Sequence, residues 1–210
     1  MINKHQITSK FSYWFIKRFF DIVFAIILSI SLSPLLLMIS LVILISNGFP
    51  IFYKCEWHGI QGKRFDGYKF RTMHKNAHSE REDLQHLNEM DGAVFKISND
   101  PRIIRFGKLL RKFSLDELPQ IYSVIKGDMS FIGPRPSMTD DYLKYEDKHY
   151  QRLSVVPGIS CLWQVSGRNE IDTFDDWVNL DLEYIDNWSL WLDTKIFFKT
   201  IIVVLKGSGK

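Results

Sequence analysis

From Ile22 to Ile45 the chain is dominated by Ile, Leu, Val and Phe, and between Asp21 and Lys54 the only ionisable side chain is Tyr53. A helix over that run reaches ~36 Å at ~1.5 Å per residue, more than the ~30 Å hydrocarbon core of a bilayer. A helix in a soluble core would carry a polar face, and here only Ser29, Ser31, Ser33 and Ser40 offer one. The run is also too long for the apolar part of a signal peptide, and no small-residue cleavage site ends it. Ser33-Pro34 falls near its centre. Proline withholds the N–H that the Ile30 carbonyl would accept from, and the Ser33 hydroxyl is placed to satisfy the freed group. Lys4, Lys10, Lys17 and Arg18 precede the run, and Lys54, Lys63 and Arg64 follow it. With both flanks basic, the positive-inside rule puts both ends in the cytoplasm. The pattern therefore predicts a re-entrant membrane helix over residues 14–50, broken at Ser33-Pro34. A kinked helix that crosses fully is the alternative.

Residues 51–206 read as one cytoplasmic domain of roughly 155 residues, a size that supports its own core. Short strands are expected around Ile51–Tyr53 and Tyr68–Arg71, a charged surface helix over Ala77–Glu89, and a basic helical piece over Arg102–Lys112. Ser114 opens a helix that stops at Gly127, and Gly133–Pro136 is too proline-rich for a regular element. Ser137 and Thr173 each precede an aspartate by three residues and mark two further helix starts. In the second of these, Trp177, Leu180, Asp181, Tyr184 and Trp188 share one stripe. A carboxylate there needs a partner, either an arginine in a salt bridge or a role in a site. From Ser189 to Lys206, Trp and Phe side chains oppose a stripe of Lys195, Lys199 and Lys206, the pattern of a helix lying in the membrane interface. The fold class expected is α/β (α+β) and mostly helical.

Charge changes little in this picture. The 27 Lys+Arg and 24 Asp+Glu leave +3, too near balance to argue for a nucleic-acid partner. The mean hydropathy of −0.08 looks soluble only because it averages an uncharged insert with a charged remainder. Cys55 and Cys161 are too few for a disulfide framework and are read as packing residues; His74 and His78 lack the rest of a metal motif.

The chemistry concentrates in Arg111–Gln120. Ser114 and Glu117 could form a capping box, but Pro119 spoils the first turn of such a helix. Adjacent carboxylates at a helix start, with Arg111 nearby, suit a metal ion and a phosphate together. The helix dipole and Arg111 would keep Asp116 ionised, as a nucleophile requires. Lys69 and Arg71 alternate on one strand face, and Arg135 is held between Pro134 and Pro136, the residue types that grip a diphosphate. P-loop, dinucleotide and D-x-D motifs do not occur.

Lys69–Met73, Asn99–Arg102, Ser114–Gln120, Gly127–Ser130, Gly133–Pro136, Pro157-Gly158, Trp163–Asn169 and Asn187–Asp193 together resemble the bacterial sugar transferases, monotopic phosphoglycosyl transferases, over roughly residues 14–206. The resemblance implies transfer of a sugar 1-phosphate from a UDP-sugar to undecaprenyl phosphate, with release of UMP. It implies Asp116 as nucleophile and Mg2+ ligand, Glu117 as its catalytic assistant, and Lys69, Arg71, Arg111, Pro134, Arg135 and Asp181 around the substrate. It also implies a catalytic core at the cytoplasmic face of the bacterial inner membrane, serving exopolysaccharide or lipopolysaccharide assembly, with membrane lipid and a second copy of the chain as candidate partners. Arg168 is the nominee for reading the sugar. A membrane-anchored glycosyltransferase releasing UDP and a non-catalytic membrane scaffold are the alternatives.

Overall fold

In the computed structural model, which describes residues 4–167, 171, 173–207 and 209 and the side chains from Trp14 onward, two helices lead the chain. Helix α1 spans Lys4–Ser31 and α2 spans Ser33–Asn47. They bend by 60° at the break, and Ser33 Oγ donates to the Ile30 carbonyl at 2.8 Å, the exchange expected for the group that Pro34 frees. No single helix among the described residues is long and apolar enough to cross a membrane; the bent pair passes that test together, by length and composition.

Strands β1 (Phe52–His58) and β2 (Arg64–Phe70) follow as an antiparallel hairpin, longer than the two short strands expected. Gly67 is required in it. A Cβ there would lie 2.1 Å from the Trp57 ring, which crosses the hairpin at that point. The charged helix expected over Ala77–Glu89 does not form. The segment is a series of turns ending in a 3₁₀ turn at Gln85–Leu87. It has no apolar stripe to bury, and Arg81 is drawn instead to Asp140 (2.5 Å) and Asp141 (3.3 Å).

Helix α3 (Arg105–Lys112) leads into the Leu115–Gln120 3₁₀ helix and α4 (Ile121–Lys126), which Gly127 closes at φ +101°. Strand β3 (Ser130–Ile132) and β4 (Ser137–Met138) are short, and α5 (Thr139–Tyr142) is a single turn. The helix start expected at Ser137 is corrected by this arrangement. Ser137 pairs with His58 in the sheet, and its hydroxyl meets the Tyr145 hydroxyl at 2.5 Å. After the Asp147–Ser154 3₁₀ helix come β5 (Gly158–Ser160), α6 (Leu162–Val165), α7 (Phe174–Asp186) and α8 (Leu190–Lys206). Thr173 caps α7 by accepting from the Asp176 N–H at 3.2 Å, as the sequence predicts. One sheet runs β2-β1-β4, and a second pairs β3 with β5 in parallel.

The leading helices share cores with the rest of the chain. Ala25, Cys55, Trp57, Ile121 and Val124 pack in one cluster, and Ile39, Ile43, Phe70 and Leu110 in another. Lys17 and Arg18, read above as flanking charge, are used for docking. Lys17 pairs with Asp193 of α8 at 2.6 Å, and Arg18 donates to the Val124 and Ile125 carbonyls at the end of α4. Away from those contacts the helices expose large apolar side chains, including Phe19, Phe20 and Ile30 on α1, Leu37 and Ile45 on α2, and Trp191, Phe198 and Leu205 on α8. Lys195, Lys199 and Lys206 are exposed on α8. Burial raises the Cys55 thiol to about 11 and the Cys161 thiol to about 12, consistent with packing roles.

Candidate active site

The turn that carries the two adjacent acids is a 3₁₀ helix entered through Ser114, whose φ of +52° is left-handed. This corrects the capping box: a left-handed Ser114 makes no side-chain cap, and Pro119 sits inside the turn. The result is to present Asp116 and Glu117, both buried, on the wall of a cleft of about 830 Å³. Lys69, Arg71, Arg111 and Arg135 line the same cleft. The structure thus brings together six of the residues singled out from sequence, drawn from four separate segments.

Each cation has its own support. Lys69, at the end of β2, lies 2.7 Å from Glu117 Oε1 and 5.6 Å from the Trp57 ring centroid. Arg135 reaches the same Glu117 oxygen at 3.1 Å. Arg111 donates from Nε to Thr72 Oγ1 at 2.9 Å. That contact depends on Gly107, where a Cβ would stand 2.2 Å from the Thr72 carbonyl; only glycine lets α3 approach so closely. Arg71 donates from Nη2 to the Asn47 and Gly48 carbonyls, 2.5 Å each, at the end of α2, while its buried Nε and Nη1 have no partner among the described residues. Burial lowers the pKa of both Arg71 and Arg111.

Asp116 departs from the sequence expectation. Burial, and then the neighbouring Glu117 charge, raise its carboxyl above the ordinary range, against the opposing pull of Lys69, Arg111 and Arg135. The dipole of so short a turn does not dominate. Arg135 moves the other way: burial works to lower it, but Glu117 holds it above its usual value.

Pro134 and Asp181 are not cleft-lining. The Pro134 carbonyl accepts from Gly158 N–H at 2.8 Å and pins the loop, leaving Arg135 and Pro136 to face the cleft. Asp181 takes Arg152 Nε at 2.8 Å and Nη2 at 2.5 Å, so of the two partners considered the arginine is the one observed. Arg152 then donates to the Arg135 carbonyl at 2.9 Å and to the Tyr145 hydroxyl at 2.6 Å. Asp181 therefore acts on the site through Arg152, which fixes the backbone of Arg135. Arg168 lies outside the described residues.

Sequence reasoning missed Arg152, Thr72, Gly107 and Trp57. A glycine inside an otherwise basic helical piece was the one available hint, for Gly107. Among the described residues no three His, Cys, Asp or Glu side chains are grouped to hold a metal. Asp116 with Glu117 suits an ion that takes one or two carboxylates and draws its other ligands from substrate phosphates and water.

The sequence pattern described as bacterial sugar transferase matches residues 12–207. A galactosyl transferase, CpsE, of Streptococcus agalactiae is 44% identical over 200 residues, covering 95% of this chain and 44% of the relative. An undecaprenyl-phosphate galactose phosphotransferase of Salmonella typhimurium is 43% identical over 199 residues, covering 93% of this chain and 41% of that protein. An exopolysaccharide production protein, ExoY, of Rhizobium meliloti is 39% identical over 197 residues and is matched over 87% of its own length. The chain therefore spans less than half of the first two relatives and most of the third.

Proposed function

Because the chain belongs to the bacterial sugar transferase family, we propose that it transfers a sugar 1-phosphate from a UDP-sugar to undecaprenyl phosphate, as the first membrane step of polysaccharide assembly. The observation that carries the reading is Asp116 itself, a buried carboxylate on a cleft wall shared with Lys69, Arg71, Arg111 and Arg135. The acceptor follows the name of the Salmonella relative, and the polysaccharide role the name of the Rhizobium one.

In this reading an oxygen of Asp116 attacks the β-phosphorus of the donor. The bond from that phosphorus to the oxygen bridging the α and β positions breaks, and UMP leaves with the bridging oxygen. An oxygen of the acceptor phosphate then attacks the same phosphorus, the bond to Asp116 breaks, and the carboxylate is regenerated as the lipid diphosphate sugar forms. Lys69 and Arg135 hold Glu117 between them and stand ready for phosphate oxygens; Arg71 offers two nitrogens, Nε and Nη1, without a partner among the described residues, and Arg111 adds fixed positive charge. Mg2+ held by Asp116 and substrate phosphate oxygens would supply further charge neutralisation. Burial raises the Asp116 pKa against the pull of Lys69, Arg111 and Arg135, and an Mg2+ held there would add to that pull and favour the ionised carboxylate.

The bent α1–α2 pair inserts from the cytoplasmic side and α8 lies in the interface, a placement supported by their exposed apolar side chains. To test the activity, the protein in nanodiscs is incubated with undecaprenyl phosphate, Mg2+ and a panel of UDP-sugars beginning with UDP-galactose. UMP is the expected nucleotide; UDP in its place overturns the reaction.

A further inference from the structure

A second hollow adjoins the catalytic turn. Its volume is about 180 Å³, and its walls are almost wholly apolar, built by Leu28 of α1, Phe113, Leu115 and Leu118 beside the nucleophile, and Val203 and Val204 of α8. Ser114 and Glu117 line both this hollow and the cleft that holds Asp116, so the two voids adjoin at one turn. The two helices that wall it also carry exposed apolar side chains, Ile27 and Ile30 on α1, Ile202 and Leu205 on α8. The hollow therefore lies between the turn that bears Glu117 and helices whose outer faces expose apolar side chains.

An apolar wall of this kind rewards an apolar occupant. A lipid phosphate has an anionic head and an apolar tail joined covalently, so an enzyme acting on the head needs a cationic pocket and a dry channel that adjoin. Resting on the activity proposed above, we infer that this hollow seats the first isoprenoid units of the acceptor, its phosphate passing the Ser114–Glu117 turn towards Lys69 and Arg135. The turn entered through the left-handed Ser114 gives this a structural reason. Leu115 and Leu118 from that turn line the hollow, Asp116 lines the cleft, and Ser114 and Glu117 border both. The acceptor is read by its tail on one side of the turn and by its phosphate on the other.

Two measurements test this on the full chain in nanodiscs. Val204→Phe fills the hollow. It raises the KM for undecaprenyl phosphate by about tenfold or more and retains acceptor-independent exchange of labelled UMP into the UDP-sugar. An unchanged acceptor KM in a variant that still exchanges overturns the assignment, whereas absence of exchange in the wild type overturns the covalent reading instead. Independently of turnover, a prenyl phosphate with a diazirine in its first isoprenoid unit labels Phe113, Leu115, Leu118, Thr200, Val203 and Val204. Labelling confined to the outward Ile27, Ile30, Ile202 and Leu205 overturns it. So does equal labelling of the hollow by a diazirine phospholipid that excess prenyl phosphate fails to displace.

Discussion

Two buried aspartates in this molecule have arginines nearby and opposite fates. Asp181 receives both Nε and Nη2 of Arg152, and the rest of that guanidinium is spent on the Tyr145 hydroxyl and the Arg135 carbonyl. Burial works to lower the Arg152 pKa, but the Asp181 carboxylate pushes it above its usual value. Asp116 is surrounded by Lys69, Arg111 and Arg135, yet the contacts of those cations go to Glu117 and Thr72. A carboxylate with a dedicated fork is locked and holds geometry. One that feels charge without a dedicated fork keeps its oxygens available for reaction; burial raises both carboxyls, so the contacts rather than the pKa direction separate the two.

The sharpest way to break this contrast is to neutralise each acid. Asp116→Asn should lower sugar-phosphate transfer by at least about 10³-fold with the fold retained, read as UMP release and far-UV circular dichroism. Asp181→Ala should act first on stability, and on transfer only through the loosened Arg152–Arg135 contact. It strands a buried Arg152 and costs about 3–5 kcal/mol of stability, measured by denaturant unfolding in detergent. Removing the shared anchor is milder. Glu117→Gln frees Lys69 and Arg135 from a charged partner and should cut transfer by about 100-fold, the lower end of what a positioned proton-handling group contributes.

The smallest effects are those of pH. Asp116 must be ionised to attack, and its folded pKa is raised, so transfer should fall as pH drops through a value above the ordinary aspartate range. The sign for stability is opposite. A group with a raised folded pKa contributes stability that is complete below its unfolded value and lost as pH rises through its folded value. Asp116→Asn should therefore melt higher than wild type at neutral pH, with the gap closing towards acid pH. Thermal melts across that window check it.

The same contrast explains what the sequence made legible. Asp116, Glu117, Lys69, Arg71, Arg111 and Arg135 sit in short stretches whose residue types announce phosphate chemistry, and the cleft gathers all six. The Ser33 rescue of the Pro34 break and the Thr173 cap were equally readable, because each depends on neighbours within three residues. What depends on distance was not readable. Arg152 meets Asp181 across 29 positions, Lys17 meets Asp193 across 176, and Arg111 reaches Thr72 only because Gly107 lets two segments touch. Two of the local errors have the same origin. Ser114 looks like a cap by type but is turned left-handed by the surrounding fold, and the 77–89 segment looks helical by charge pattern but is held in turns by Arg81 and its partners.

The central claim is that Asp116 carries the phosphosugar between donor and acceptor. The most direct measurement incubates the protein with its UDP-sugar and Mg2+ in the absence of undecaprenyl phosphate, followed by mass spectrometry of the peptide containing Asp116. The account predicts release of UMP and a phosphosugar adduct on Asp116 that disappears when the acceptor is added. UMP release only in the presence of acceptor, with no adduct on Asp116, would contradict it.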